Sequence, residues 1–360
     1  MIPEELRAEN MVGLYTQFAN YASPLAKYFD TLSAPGPGNS ISYEVLEYRR
    51  AQAKLRAYGG PVPKSKMPSR AKVSYEAIAI GDALEIPVEL LNNLREPGSL
   101  AVSAQGQVAR AIRQSRMNIE RRLDFLRAQW LTGGALLSSA GVFPNNAEVN
   151  GTAYVDYPSL ANSTPLAVDL NYTATHLDGA VAVSWATTST DIKADLDAAQ
   201  EVIAQDSGVE DASHIICNQT VYNYILKNDY VQASIAATNQ IVQTGRLSEI
   251  WGYTIDVIKG YAAFDSETMA TDTGAAGVTK LIPGNLVILT TADNTAAGRV
   301  LRECKPDDAN APDGARGIWA FSDESQVYPH EVTSGFTWVG GVEYGLPDAS
   351  YIFADVTSTS

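Results

Sequence analysis

Residues Ser99 to Gly134 read SLAVSAQGQVARAIRQSRMNIERRLDFLRAQWLTGG, a run with no proline and one dominant period. Val108, Ile112, Ile119, Leu123, Leu126 and Trp130 step by four, seven, four, three and four residues. At about 100° per residue that spacing collects all six on one narrow stripe of a helix. The spacing predicts one long amphipathic helix over residues 99–132. Ser99, behind a proline and a glycine, supplies the N-cap, and Gly133-Gly134 supply the positive-φ positions that end helices. Between Val108 and Trp130 lie six arginines against Glu120 and Asp124, a local balance of +4 in a chain whose total is −15. Arg110, Arg113 and Arg121 fall opposite the apolar stripe, while Arg116 and Arg127 flank it. One face is built for a core. The other is either solvated or turned toward something anionic.

A sequence pI near 4.6 argues against general affinity for nucleic acid or membrane surfaces, because non-specific phosphate binding needs an overall basic field. The opening MIPEELRAEN has no basic n-region or apolar h-region, and no run is long and apolar enough to span a bilayer, so neither secretion nor membrane insertion is expected. Cys217 and Cys304 lack paired spacing and give no disulfide framework.

Charge is segregated along the chain. Arg49, Arg50, Lys54, Arg56, Lys64, Lys66, Arg70 and Lys72 fall in a stretch without one acid. The alternation around Val73 and Tyr75 predicts that this stretch returns as a half-exposed strand, making a two-stranded basic projection. From Glu303 to Asp355, ten acids face Lys305 and Arg316. A projection of +8 and a tail of −8 at opposite ends of a chain favour contact between neighbouring copies, head to tail. Before the projection, residues 1–41 read as an arm ending in SAPGPGNS that packs on something else, so its removal is expected to leave the subunit fold intact.

After the long helix the sequence predicts strand and turn. EVNGTAYVDY reads as a hairpin around Asn150-Gly151, and TPLAVDLNY and GAVAVSWATT as strands. A helix capped by Thr190-Asp191 and ended by Gly208 follows, then a buried strand HIICN, a helical piece QTVYNYILKNDYVQASIA, and strands in WGYTIDVIKG and KLIPGNLVILTT. Helices on a mixed sheet over about 192–300 imply an α/β or α+β unit inserted within a strand-rich one. The tail closes with two strands about Leu346-Pro347.

Chemistry is hard to find. His176, His214 and His330 lie far apart without metal-site spacing, GAAGVTK lacks the spacing of a phosphate loop, and acid pairs such as Asp307-Asp308 and Asp323-Glu324 fall in polar stretches. No catalytic, metal or cofactor residues are expected.

Several segments, in order, resemble the phage lambda-type major capsid protein family, protein E, with its Hong Kong 97-like fold. ERRLDFLRAQWLTGGALLSS is similar to the family's spine helix and following turn. AVDLNY with SWATTSTDIKADLDAAQEVI resembles the opening of its apical domain, HIICNQTVYNYI the strand and helix that follow, KLIPGNLVILTT its late strand and GGVEYGLPDASYIFADV its closing strands. The resemblance implies an α+β chain with an N-terminal arm (1–41), an extended loop (42–85), a peripheral domain (86–190) carrying the spine helix, an axial domain (191–302) and closing strands returning to the peripheral domain (303–360). It implies self-assembly as hexamers and pentamers into an icosahedral shell around the double-stranded DNA of a tailed phage, with the basic loop on a neighbour and Arg110, Arg113 and Arg121 toward DNA. Separate scaffold, portal and cement proteins, a location in the virion, and the host cytoplasm during assembly follow from the same likeness. No delta domain and no isopeptide cross-link are expected. An encapsulin-type compartment shell shares the fold, and a carboxylate-dependent hydrolase is the reading from a different class.

Overall fold

The structure is a computed structural model and describes residues 23–33, 40–46, 70–86, 99–136, 149–154, 167–177, 179, 181, 183–238, 247–263, 278–308, 311–324 and 332–357. Its longest element is helix α1 (Ser99–Leu131). Val108, Ile112, Ile119, Leu123, Leu126 and Trp130 are all buried, from 5% exposed at Leu123 to none at Trp130. At the end of α1, Gly133 and Gly134 take φ of +59° and +84°. The Gly134 amide then donates to Gln129 O at 2.8 Å. A Cβ on Gly134 would lie 1.8 Å from Thr152 O, so the stop signal is also a close backbone crossing.

The α1 stripe packs on an outer sheet built around the 13-residue β15 (Val332–Tyr344). One edge of β15 pairs antiparallel with β4 (Ile78–Ile86). The other is shared in tandem by β14 (Trp319–Glu324) and β13 (Arg299–Glu303), and β1 (Asp30–Ser33) runs parallel to β13. Beside it β2 (Ser40–Leu46) and β3 (Arg70–Glu76) form a separate antiparallel ribbon, and β5 (Thr152–Tyr154) pairs with β6 (Ala167–Asp169).

The second sheet has the order β16 (Ser350–Phe353), β12 (Val287–Thr290), β7 (His214–Cys217), β9 (Tyr253–Val257), β8 (Glu249–Ile250), with only β7 and β9 parallel. Ile215, Cys217, Val287 and Leu289 face a core made with α2 (Ile192–Ser207), α3 (Gln219–Lys227) and α4 (Asp229–Thr238). Ile216 and Ile288 point the other way, into the core of α1 and the outer sheet. Burial on both faces is why HIIC and VILT are continuous apolar runs rather than alternating ones. A minor ribbon joins β10 (Tyr261–Ala263) to β11 (Val278–Lys280), and a single turn, α5 (Asn294–Ala297), leads from β12 to β13.

Several expectations are corrected. Asn150-Gly151 does not turn a hairpin: β5 pairs with β6, Thr152 opposite Asp169. GAVAVSWATT forms no strand among its described residues. It follows β16 and the residues beyond it through single bonds, Gly179 N to Ile352 O and Trp185 N to Val356 O. The predicted second helix is two, because Asn228 leaves the helical region and its side chain caps α4 through the amides of Tyr230 and Val231. KLIPGNLVILTT is split at Pro283 between β11 and β12. Residues 23–33 belong to the subunit's own core, with Leu25, Tyr28 and Phe29 buried. The closing strands divide: β15 stays in the outer sheet and β16 joins the other one. The part of the arm before Ser23 lies outside the described residues.

Candidate assembly surfaces

The basic projection is rooted by the inward face of β2 and β3. Ile41, Tyr43, Val45, Val73 and Tyr75 are buried, and their alternate neighbours are more exposed. The Tyr75 hydroxyl donates to Val342 O at 2.6 Å and accepts from Val342 N at 2.8 Å, and its ring lies 6.1 Å from that of Trp130. Burial raises its hydroxyl pKa well above the tyrosine range. Burial likewise pushes the Tyr43 hydroxyl up to about 12. The stalk is therefore fixed to β15 and α1, whatever its tip contacts.

Arg70 and Lys72 are exposed on the outer side of β3. Arg70 Nη1 lies 2.5 Å from Glu44 Oε2, and Lys72 sits opposite Glu44 in the register, so the root of the projection is locally compensated. Arg49, Arg50, Lys54, Arg56, Lys64 and Lys66 lie outside the described residues.

On α1, Arg110, Arg113 and Arg121 are exposed, opposite the buried stripe. The other three arginines are partly or fully buried. Arg116 Nε lies 3.2 Å from Glu120, Arg122 stacks 5.1 Å from the Phe125 ring centre, and Arg127 is almost fully buried with Asp124 at 3.0 Å. Ser23 joins that last pair, accepting from Arg127 at 3.1 Å and donating to Asp124.

Among the described residues no group of His, Cys, Asp and Glu could hold a metal, and no helix is long and apolar enough to cross a membrane. His176 is fully buried, but its Nδ1 faces the backbone O of Ser350 rather than the hydroxyl, so it forms no nucleophile–base pair there. His214 opens β7 and is held below the usual histidine range by burial first of all. Of the acid pair Asp307-Asp308, Asp308 accepts from the Trp319 indole at 2.9 Å.

The family model for phage major capsid protein E matches residues 16–317. The chain belongs to that family. It is a shell-forming phage capsid protein with the Hong Kong 97-like fold. A solved structure assigned as the capsid protein of a prophage in Escherichia coli CFT073 is 9% identical and superposes with a TM-score of 0.60, covering 97% of this chain and 99% of that one. A phage-related protein from Bordetella bronchiseptica RB50 is 10% identical, with a TM-score of 0.50 and coverage of 98% and 97%. At such identities the likeness is one of fold. No curated protein matches the sequence.

Three features of the capsid protein were not legible in its sequence. Arg299 is fully buried at the passage between the sheets. Arg302 Nε and Glu343 lie 2.9 Å apart across β13 and β15. Glu303 and Glu343 are both held above the usual carboxylate range, in each case chiefly by burial. A signal existed only for Asp124 and Arg127, three residues apart beside the apolar stripe. The other partners are brought together by the sheets.

Proposed function

We propose that this capsid protein assembles as hexamers and pentamers into an icosahedral shell around the double-stranded DNA of a tailed phage, each basic loop docking on the acidic tail region of a neighbour. The observation that carries the docking is the segregation of charge, +8 over residues 49–72 and −8 over 303–355, in a subunit whose loop root is anchored in its own core. In this reading residues 1–41 are the arm, 42–85 the extended loop, 86–190 the peripheral domain, 191–302 the axial domain and 303–360 the closing strands. Arg110, Arg113 and Arg121 face packaged DNA without base recognition. The role is structural, with no catalytic centre. Scaffold, portal and cement are separate proteins, and assembly takes place in the host cytoplasm before the shell becomes part of the virion.

The test is to replace Lys64, Lys66, Arg70 and Lys72 together with glutamate. The expected outcome is a folded, soluble subunit that no longer sediments as shells, and an unchanged particle yield would overturn the docking. Replacing Arg110, Arg113 and Arg121 with glutamine is expected to leave shells intact. Free capsomers should then bind DNA with a salt slope smaller by about one for each phosphate no longer neutralised. An unchanged slope removes those residues from the DNA-facing surface.

A further inference from the structure

The chain passes between its two sheets at two neighbouring places, from β12 through α5 to β13, and from β15 through residues 345–349 to β16. These passages are bonded to each other, Gly345 N to Gly298 O at 2.9 Å and Leu346 N to Ala297 O at 3.1 Å. Gly298 takes φ +63°, and a Cβ there would lie 3.1 Å from Gly345 Cα. Ile216 and Ile288 already pack one sheet on the core of the other, so rotation at these two antiparallel crossings is limited by that core and by whatever spans them.

Arg299 spans them. It is the first residue of β13 in the outer sheet, but its guanidinium turns back onto the end of the other sheet. Nη1 donates to Thr290 Oγ1 at 2.7 Å, and Nη2 donates to Thr291 O at 2.6 Å and to Asn294 Oδ1 at 3.3 Å. Thr290 Oγ1 lies 2.7 Å from Ser350 Oγ on β16, which also bonds the Tyr344 hydroxyl on β15. The Ser350 carbonyl accepts from His176, whose Nε2 lies 3.0 Å from Asp206 at the end of α2. On the other flank Asn294 donates to Lys27 O at 2.9 Å, while Lys27 and Tyr28 reach Asp256 on β9. Arg299, Thr290, Ser350, Tyr344 and His176 are all completely buried.

Two facts make this more than ordinary packing. Among the described residues the Arg299 cation has only neutral hydrogen-bond acceptors, and its Nε has none. A buried charge without a carboxylate is a poor way to gain stability, and an apolar side chain of similar length would be expected to serve better. A planar fork gripping three acceptors between the end of β12 and the start of α5 is, however, a strong way to fix a direction, since a small rotation misaligns all three bonds together.

We infer that Arg299 is a positioning residue for assembly: with Thr290, Ser350 and Tyr344 it locks the two sheets at one angle, and that angle sets the curvature at which copies close into a shell. The inference rests on the shell-forming role.

The experiment uses the full-length chain under conditions where it forms particles, compared with Arg299→Met and Arg299→Lys. Particle diameters are read by electron microscopy and melting by calorimetry of dissociated subunits. Both variants are expected to melt within a few degrees of the parent while the share of particles at the parental diameter falls several-fold, giving open, small or tubular forms. Shells of parental diameter and yield from either soluble variant would overturn the lock. If Arg299→Met is insoluble, Arg299→Lys decides by the same two readings, and insolubility of both would overturn it by making Arg299 a folding residue. Parental particles are the control that keeps the shell-forming role separate from the lock.

Discussion

Trp130 and Glu303 show opposite consequences of burial for single side chains. Trp130 is fully buried on the α1 stripe, beside Tyr75 at the root of the projection. Trp130→Ala is expected to cost about 3–5 kcal/mol in urea unfolding of the unassembled subunit, from the forgone transfer energy and the cavity left behind. Glu303 is half-buried, and its removal from water raises its pKa against the weaker help of Arg127. An acid whose folded pKa lies above its unfolded one binds more protons when folded, so its contribution falls as pH rises through that interval. Glu303→Gln is therefore expected to stabilise the subunit at pH 7, with the difference vanishing as pH drops below the unfolded glutamate range. Melting curves across that span check it, and a constant difference at all pH values would show that packing, not ionisation, is at work.

The elements are set by short local devices whose cost can be measured separately. Helix α2 begins where the Asp191 carboxylate accepts from the Ala194 amide at 3.1 Å and ends at Gly208 in the left-handed region. Asp191→Ala is expected to lower stability by about 1 kcal/mol, read as a shift in the urea midpoint at constant slope. In β15 the requirement is for space. A Cβ on Gly340 would lie 2.1 Å from Arg302 O, so Gly340→Ala must push β13 off its ladder. A larger loss than for Asp191→Ala is expected, with reduced amide protection in residues 299–303, and equal losses would mean that the strands part without strain.

For the whole molecule, the strap at residues 23–33 decides what can be cut away. Leu25, Tyr28 and Phe29 are core residues, Ser23 reaches α1, and β1 extends the outer sheet. Deleting residues 1–33 is expected to unfold the subunit or cost several kcal/mol, whereas a deletion ending before Ser23 keeps the strap and its packing. Circular dichroism and urea unfolding of the two truncations separate these outcomes. Equal stability of both would show that the strap adds nothing to the subunit.

How much was legible follows from the range of the interactions. The α1 stripe, the Asp191 cap, the Gly133-Gly134 stop and the apolar run HIIC depend on neighbours a few residues away, so spacing alone revealed them. The same spacing failed for GAVAVSWATT and for the turn at Asn150-Gly151, because a strand exists only where a partner arrives, and the partner of β5 is β6. The basic stretch and acidic tail were plain as composition, yet only the fold shows that Arg70 meets Glu44 and that Tyr75 ties the root of the projection to β15. By itself, then, the sequence determined the stripe and glycine stop of α1, the extent of α2 and the opposed charges, since these rest on local periodicity and counting. The division of the closing strands between two sheets, the buried strap and the Arg299 junction were decided by tertiary structure. Each joins groups far apart in the chain, and no local signal records a pairing whose two halves are brought together only by the fold.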